Sequence, residues 1–281
     1  MSPIRHHTVV ITGAAGGLGS ATCRHLADRG WAVIGGDLLG AGLDQLAAHP
    51  AITALPLDVS DPADVTAFGA AVAQQVDRLA GVVNYAGILE VGPMIEMSEH
   101  QLQRVIDVNV FGAFRVNQAL FPLVERGGGR IVNISSETGW QSGGPFNGSY
   151  SMSKHAIEAY SDSLRRELMF LDIPVIKIQP GPFRTAMVES IVERFQRAAH
   201  ESTRFGDLLR RTGELAAAEH DRAHDPVLLS RVVERALTST RPRAAYSVRP
   251  APERVLLEWL PTRLDDRAIR YALTRRPRVA G

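Results

Sequence analysis

The chain has 281 residues, 45% of them hydrophobic, which is long and apolar enough to bury a large core in one α/β domain. Its 31 basic and 30 acidic residues nearly cancel, which excludes a general electrostatic drive toward nucleic acid. A single cysteine, Cys23, excludes an intramolecular disulfide framework and any cysteine metal cluster, and in the first helical stretch it reads as a small buried apolar side chain.

The first element is a short β-branched run, His7 to Thr12 (HTVVIT), with His6 and His7 read as surface residues beside it. Gly13-Ala14-Ala15-Gly16-Gly17-Leu18-Gly19 follows and leads into a helical pattern from Ser20 to Arg29, so the order is strand, glycine turn, helix. Glycines at such a turn let the main chain approach a pyrophosphate, which the amides and dipole of the helix N-terminus would hold. The second strand, Trp31 to Gly36, ends in Asp37, at the distance expected for a carboxylate that grips ribose hydroxyls. That carboxylate would repel a 2′-phosphate, and Ala14, Ala15 and Gly16 supply no cation to receive one, so NAD is expected in preference to NADP. Asp37 also fits a turn or a helix cap.

Further strands are predicted at Ile52 to Leu57, Gly81 to Asn84, Arg130 to Ile134, Pro174 to Gln179 and Ala245 to Arg249, with helical patterns between them. Two helix starts carry their own chemistry: Asp61-Pro62-Ala63-Asp64 combines a cap, a first-turn proline and an acidic first turn, and Ser98-Glu-His-Gln101 fits a capping box. The alternation predicts a doubly wound parallel sheet of about seven strands with helices on both faces, in a single domain spanning 1–281. Ligands of such sheets bind beyond the carboxyl ends of the strands.

Tyr150-Ser-Met-Ser-Lys154 opens a long helical stretch and sets a phenol and an ammonium one turn apart on one face. A fixed cation beside a phenol favours the phenolate and makes it an acid-base group near neutral pH. Taken alone the spacing is common by chance and reads equally as a half-buried tyrosine and a solvated lysine on an amphipathic helix.

Taken together these segments resemble the single-domain short-chain dehydrogenase/reductase family. The resemblance rests on Thr12-Gly-Ala-Ala-Gly-Gly-Leu-Gly19, Asp58-Val59, Asn84-Tyr85-Ala86-Gly87, Asn109, Ser135-Ser136, Tyr150 to Lys154 and Pro180-Gly181-Pro-Phe183-Arg-Thr185, in the family's order over about two thirds of the chain. It implies a Rossmann-type sheet and an NAD-dependent oxidoreductase. It also implies that Tyr150 exchanges a proton with the substrate oxygen, that Lys154 lowers its pKa and binds the nicotinamide ribose, and that Ser136 hydrogen-bonds the reacting oxygen. Asn109 would anchor a water that links the lysine to solvent. Asp58 and Val59 would flank the adenine, Asn84, Ala86 and Gly87 would line the cofactor with Pro180, Gly181 and Phe183, and Thr185 would contact the carboxamide.

Two departures from the family pattern carry expectations. Tyr85 stands where the family's third loop motif has a second asparagine, which predicts the loss of a buried amide that stitches strands together, at a cost in stability. Ser136 precedes Tyr150 by one residue more than the family spacing, an excess that the segment Gly139 to Gly148 absorbs; alternation at the strand end favours Ser136 over Ser135.

Selectivity is expected from the loop Thr138 to Ser149 and from a substrate lid over 186–225, where Met187, Ile191 and Phe195 recur at helical spacing and fit core packing equally. His200, His220 and His224 lack metal-site spacing, so no metal is expected. The tail 252–281 reads as helical: Leu256, Leu257, Leu260, Leu264, Ile269 and Leu273 interleave with Arg263, Arg267, Arg270 and Arg275-Arg276-Pro-Arg278. It resembles family members acting on retinoids or hydroxysteroids, and suits packing over the cleft or on another subunit better than a membrane surface. With no signal peptide and no bilayer-spanning apolar run, a cytoplasmic protein is expected. The expected activity is hydride transfer between a nicotinamide and a hydrophobic secondary alcohol or ketone in a homodimer or homotetramer. A polyol or sugar dehydrogenase and a non-catalytic NAD-binding regulatory protein are the alternatives.

Overall fold

Five-residue runs such as Thr8–Thr12 and Arg130–Ile134 are apolar on both sides, as strands covered by helices on both faces must be. The computed structural model describes residues 7–185, 190–220, 222–252, 255 and 258–274. Its strands are β1 (Thr8–Thr12), β2 (Ala32–Asp37), β3 (Ile52–Pro56), β4 (Gly81–Asn84), β5 (Arg130–Ile134), β6 (Val175–Pro180) and β7 (Ala245–Val248), within two residues of the expected runs. All pair in parallel in the order β3-β2-β1-β4-β5-β6-β7. The chain winds outward from β1 to β3, returns beside β1 at β4 and winds outward the other way. Thr12 pairs with Gly36 on one side and Asn84 on the other, so three strands end level where the winding reverses. Connections leaving that point diverge to opposite faces and open a crevice between them.

The described helices are α1 (Gly17–Ala27), α2 (Ala41–Ala47), α3 (Pro62–Gln75), α4 (Glu99–Ile106), α5 (Gly112–Gly127), α6 (Gly148–Leu168), α7 (Ile191–Glu201), α8 (Gly206–His220), α9 (Pro226–Thr238) and α10 (Thr262–Thr274). Strand alternation splits the core into two layers. Val9, Ile11, Val83 and Val132 pack with Cys23 and Leu26 of α1 and Leu229 and Val233 of α9. Their neighbours Val10, Val82 and Ile131 face Phe68 and Val72 of α3 and Val116 and Leu120 of α5. Cys23 is fully buried, and burial pushes its thiol up to about 12, so it is an inert packing residue. The helix starts follow their sequence signals: Asp61 caps Ala63 N–H at 2.8 Å ahead of Pro62, and Ser98 and Gln101 form the reciprocal capping box.

The stitching amide predicted to be lost is present, supplied from elsewhere. Asn84 Nδ2 at the end of β4 donates to Asn117 Oδ1 of α5 at 2.8 Å and to Asn133 Oδ1 of β5 at 2.9 Å, while Asn133 Nδ2 donates to Ser161 Oγ of α6 at 2.9 Å. Tyr85 binds a different pair of elements: its hydroxyl lies 2.8 Å from Thr22 Oγ1 of α1, which lies 3.1 Å from Ser230 Oγ of α9. The substitution therefore moves a cross-link instead of deleting one. Asn117→Leu should strip partners from the Asn84 amide and, by losing its 3.1 Å bond, from Tyr160. A fall in melting temperature of roughly 5 °C or more is expected by thermal unfolding; an unchanged midpoint would show that the network carries no stability.

Candidate active site

Removing the Cβ at three points brings the main chain to the crevice. Gly13 has φ +64°, and a Cβ there would meet Ala86 N at 2.6 Å; one on Gly17 would meet Thr185 Cβ at 2.9 Å, and one on Gly19 would strike Gly13 O. The first turn of α1 is thereby pressed onto the ends of β1 and β4, with its free amides at the cleft. Asp37 closes the far side: its carboxylate accepts Ala15 N–H and Leu38 N–H, each at 2.7 Å. Asp58 Oδ1 is held by Ser60 N–H at 2.8 Å and Ser60 Oγ at 2.6 Å. A cradle without side chains at a helix N-terminus, with a carboxylate at the tip of the second strand, fits a dinucleotide.

A single cleft of about 950 Å³ gathers these groups. Gly13, Gly16, Gly17, Leu18 and Gly19 line it with Asp37, Asp58 and Val59. Ala86, Gly87, Pro180, Gly181, Phe183 and Thr185 continue the wall to Ser136, Tyr150 and Lys154. Two expected residues stand outside. Asn84 turns its amide into the buried network described above. Asn109, in a single π-helical turn from Asp107 to Phe111, accepts Ile88 N–H at 2.7 Å and donates to Ile88 O and to Ser153 Oγ of α6, both at 2.9 Å. Its side chain is spent on joining the strand-end loop to α6 and does not reach the cleft.

Ser136 and Tyr150 meet despite the extra residue between them, which lies in the loop and leaves both ends in place. Ser135 also lines the cleft, but its Oγ is tucked against Gly139; Ser136 is the serine whose hydroxyl acts on the phenol, drawing its pKa down. Burial shifts the phenol in the direction opposite to the one a neighbouring cation would give. Burial pushes the Tyr150 phenol up to about 12, against the lowering effect of the Ser136 bond and with a further upward push from the Glu137 carboxylate. Burial brings Lys154 down to about 8 despite nearby Glu158. Lys154 Nζ donates to Ile134 O at 3.0 Å and lies 5.5 Å from the centre of the Tyr150 ring, over its face, so it does not hold the hydroxyl as a phenolate.

The remaining wall is apolar. α7 and α8 pack on each other through Phe195, Ala199 and Leu209, and Ile191 and Phe195 also face the cleft, so core and lid readings both describe them. From α10, which packs on α8, Asp265, Ile269 and Leu273 also line the cleft, while Leu264 and Tyr271 are exposed. Glu258, just ahead of α10, is tied to the loop by Ser142 N–H at 2.6 Å and Ser142 Oγ at 3.3 Å. Glu258 and these residues of α10 thus form part of the cleft lining. Met187, Leu256, Leu257, the Arg275 to Arg278 run and His6 lie outside the described residues, as does the His220 side chain. Among the described residues no metal-binding cluster occurs and no helix is long and apolar enough to cross a membrane. Sequence reasoning missed Glu137, which directly follows the serine pair, and pointed to the loop from Thr138 and the tail without singling out Gln141, Glu258 or Asp265.

A family model described as short chain dehydrogenase matches residues 7–196. The chain belongs to the short-chain dehydrogenase family. It is similar to retinol dehydrogenase 16 of Homo sapiens, with 33% identity covering 100% of this chain and 92% of that protein. It is likewise similar to 17-beta-hydroxysteroid dehydrogenase type 6 of Bos taurus, with 34% identity covering 98% and 90%. Among solved structures, a short-chain dehydrogenase from Streptomyces avermitilis superposes with a TM-score of 0.76 at 26% identity over 95% of each chain. An actinorhodin polyketide ketoreductase variant with NADPH gives 0.74 at 26%, covering 86% of this chain and 95% of that one. As a short-chain dehydrogenase the chain is an oxidoreductase acting on CH–OH groups with a nicotinamide cofactor.

The lowered Lys154 gives a sign that can be measured. An amine that titrates near 8 when folded, against an ordinary 10.5, penalises the folded state fully below pH 8 and not at all above 10.5. Whatever its packing cost, Lys154→Met should be most stable relative to the parent protein below pH 8. That relative stability should decline by on the order of 2 kcal/mol toward pH 10.5; a difference independent of pH, measured by denaturant unfolding, would contradict the buried-amine account.

Proposed function

We propose that this short-chain dehydrogenase uses NAD and acts on hydrophobic secondary alcohols and ketones of steroid, retinoid or aryl-alcohol type, with Tyr150 as general acid and base. The observation that carries the reading is the placing of Ser136 and Tyr150 together in the lining of a cleft that also has Ile191, Phe195, Leu215, Ile269 and Leu273 in its walls. The names of the relatives, retinol and hydroxysteroid dehydrogenases, support the same substrate class, and the apolar walls do not suit a polyol. NAD is supported by the Asp37 carboxylate at the end of β2 and by Leu38 beside it, where no cation would receive a 2′-phosphate.

The bound nicotinamide would supply or accept the hydride. The chain's own residues handle the oxygen. Ser136 and Tyr150 both line the cleft, where a carbonyl oxygen bound between them would take a hydrogen bond from each hydroxyl and, as negative charge develops, a proton from Tyr150. A phenol near 12 is an acid at neutral pH, ready to donate. Oxidation requires the phenolate, so its rate should climb through the alkaline range while reduction falls. Lys154, lowered by burial to about 8 and still mostly an ammonium at neutral pH, donates to Ile134 O and is placed to donate to a ribose hydroxyl as well. We propose a homo-oligomer joined through the outer face of α5 and α6, where Phe111, Phe114 and Met152 are exposed.

NADH should bind at least tenfold more tightly than NADPH, and Asp37→Ser should narrow that ratio; equal affinities in the unmodified protein, read by fluorescence titration, would sink the NAD assignment. Tyr150→Phe keeps the ring and removes the proton donor. Ketone reduction, followed by NADH absorbance, should fall about a hundredfold or more, and full activity in that variant would remove Tyr150 from the mechanism.

A further inference from the structure

The cleft wall beyond Ser136 carries polar atoms that the proton chemistry does not use. Gln141 is 3% exposed and Thr138 8%; both line the cleft, and neither the Gln141 amide nitrogen nor the Thr138 hydroxyl oxygen has a hydrogen-bond partner. Their main chains are pinned. Thr138 N–H donates to Ser136 Oγ and Gln141 N–H to Glu137 O, each at 3.2 Å. Glu137 Oε2 accepts Ala251 N–H at 2.8 Å, and Ser142 is held by Glu258. Neither side chain is on a segment free to swing it into solvent, and a buried donor without a partner is costly. In a pocket walled by Ile191, Phe195, Ile269 and Leu273, such groups select ligands that bring the missing partner.

We infer that Gln141 and Thr138 form a second polar subsite, which takes a hydrogen-bond-accepting oxygen on the substrate away from the reacting carbon. The inference rests on the alcohol/ketone reading of the same cleft and narrows it. A rigid apolar ligand with two oxygens, such as a diketone or hydroxyketone steroid, satisfies both polar points. A retinoid has one oxygen, which reacts, and leaves the second point unpaired.

The test is equilibrium binding, in saturating NADH, of ketosteroids carrying a second oxygen at different ring positions, each beside its mono-oxygenated parent, and of retinal. The unmodified protein should bind the best doubly oxygenated ligand about tenfold more tightly than its parent. Gln141→Leu should bring that ratio near one, and Thr138→Val should reduce it, with melting curves showing both variants folded. The inference is overturned if no pair differs by more than twofold in the unmodified protein, if the ratio survives in both variants, or if none of these ligands binds. Should Gln141→Leu fail to fold, the parent ratio and Thr138→Val decide. Turnover measured alongside separates this claim from the one beneath it. A binding ratio without hydride transfer defeats the functional reading and leaves the subsite. Equal affinity and equal kcat/KM within every pair defeat the subsite and leave the function.

Discussion

Close approach of main chain to main chain at the point where the sheet reverses its winding is the constraint on which the rest of this molecule depends. Gly13 leaves β1 with φ +64° directly against Ala86 N beyond β4, and Gly19 lets α1 pack on Gly13 O. A methyl group at either place would push α1 from the sheet, and with it the amides that face the cleft. The adjacent cross-links hold the same junction: Tyr85 to Thr22 to Ser230 on one face, Asn84 to Asn117 and Asn133 on the other. These bonds join elements that the hydrophobic layers alone would leave free to slide.

Burial then sets the charge of the catalytic pair. Tyr150 and Lys154 sit on one helix over the floor of the cleft, and removal from water raises the phenol and lowers the amine, each toward its neutral form. Their proximity does not by itself produce a phenolate, because Lys154 is turned to Ile134 O and meets the ring through its face. A ribose hydroxyl oxygen that accepts from Lys154 would compete with that carbonyl. The Ser136 bond is the one local influence that pulls the phenol back down.

The substrate end is assembled from distant parts. Phe195 and Ile191 of α7, Ile269 and Leu273 of α10, and the loop held by Ser142 and Glu258 meet over the catalytic hydroxyls. This gives a cleft whose wall beyond the catalytic hydroxyls is mostly apolar, with Gln141, Thr138, Arg104, Asn147, Thr212 and Asp265 among its polar members. One surface thus serves as binding wall and, through Phe195, Ala199 and Leu209, as a small core of its own.

The amino-acid order by itself determined the seven parallel strands, the caps at Asp61 and Ser98, the glycine turn with Asp37, and the placing of Tyr150 and Lys154 one turn apart on one helix. Each depends on residues close in sequence or on one repeated period, which is where backbone sterics and local hydrogen bonds act. Only the tertiary structure decided that Asn84 belongs to a buried amide network, that Asn109 serves Ile88 and Ser153, and that Tyr85 replaces one cross-link by another. It also decided the direction in which Tyr150 and Lys154 are shifted, since desolvation is a property of everything packed around a group and not of its neighbour four residues away. For the same reason the partners of Gln141, Glu258 and Asp265 were invisible, although the loop and the tail that carry them were expected near the cleft. A side chain's exposure and partners are fixed by segments separated from it by a hundred residues or more, and no local pattern records which of them the fold will bring together.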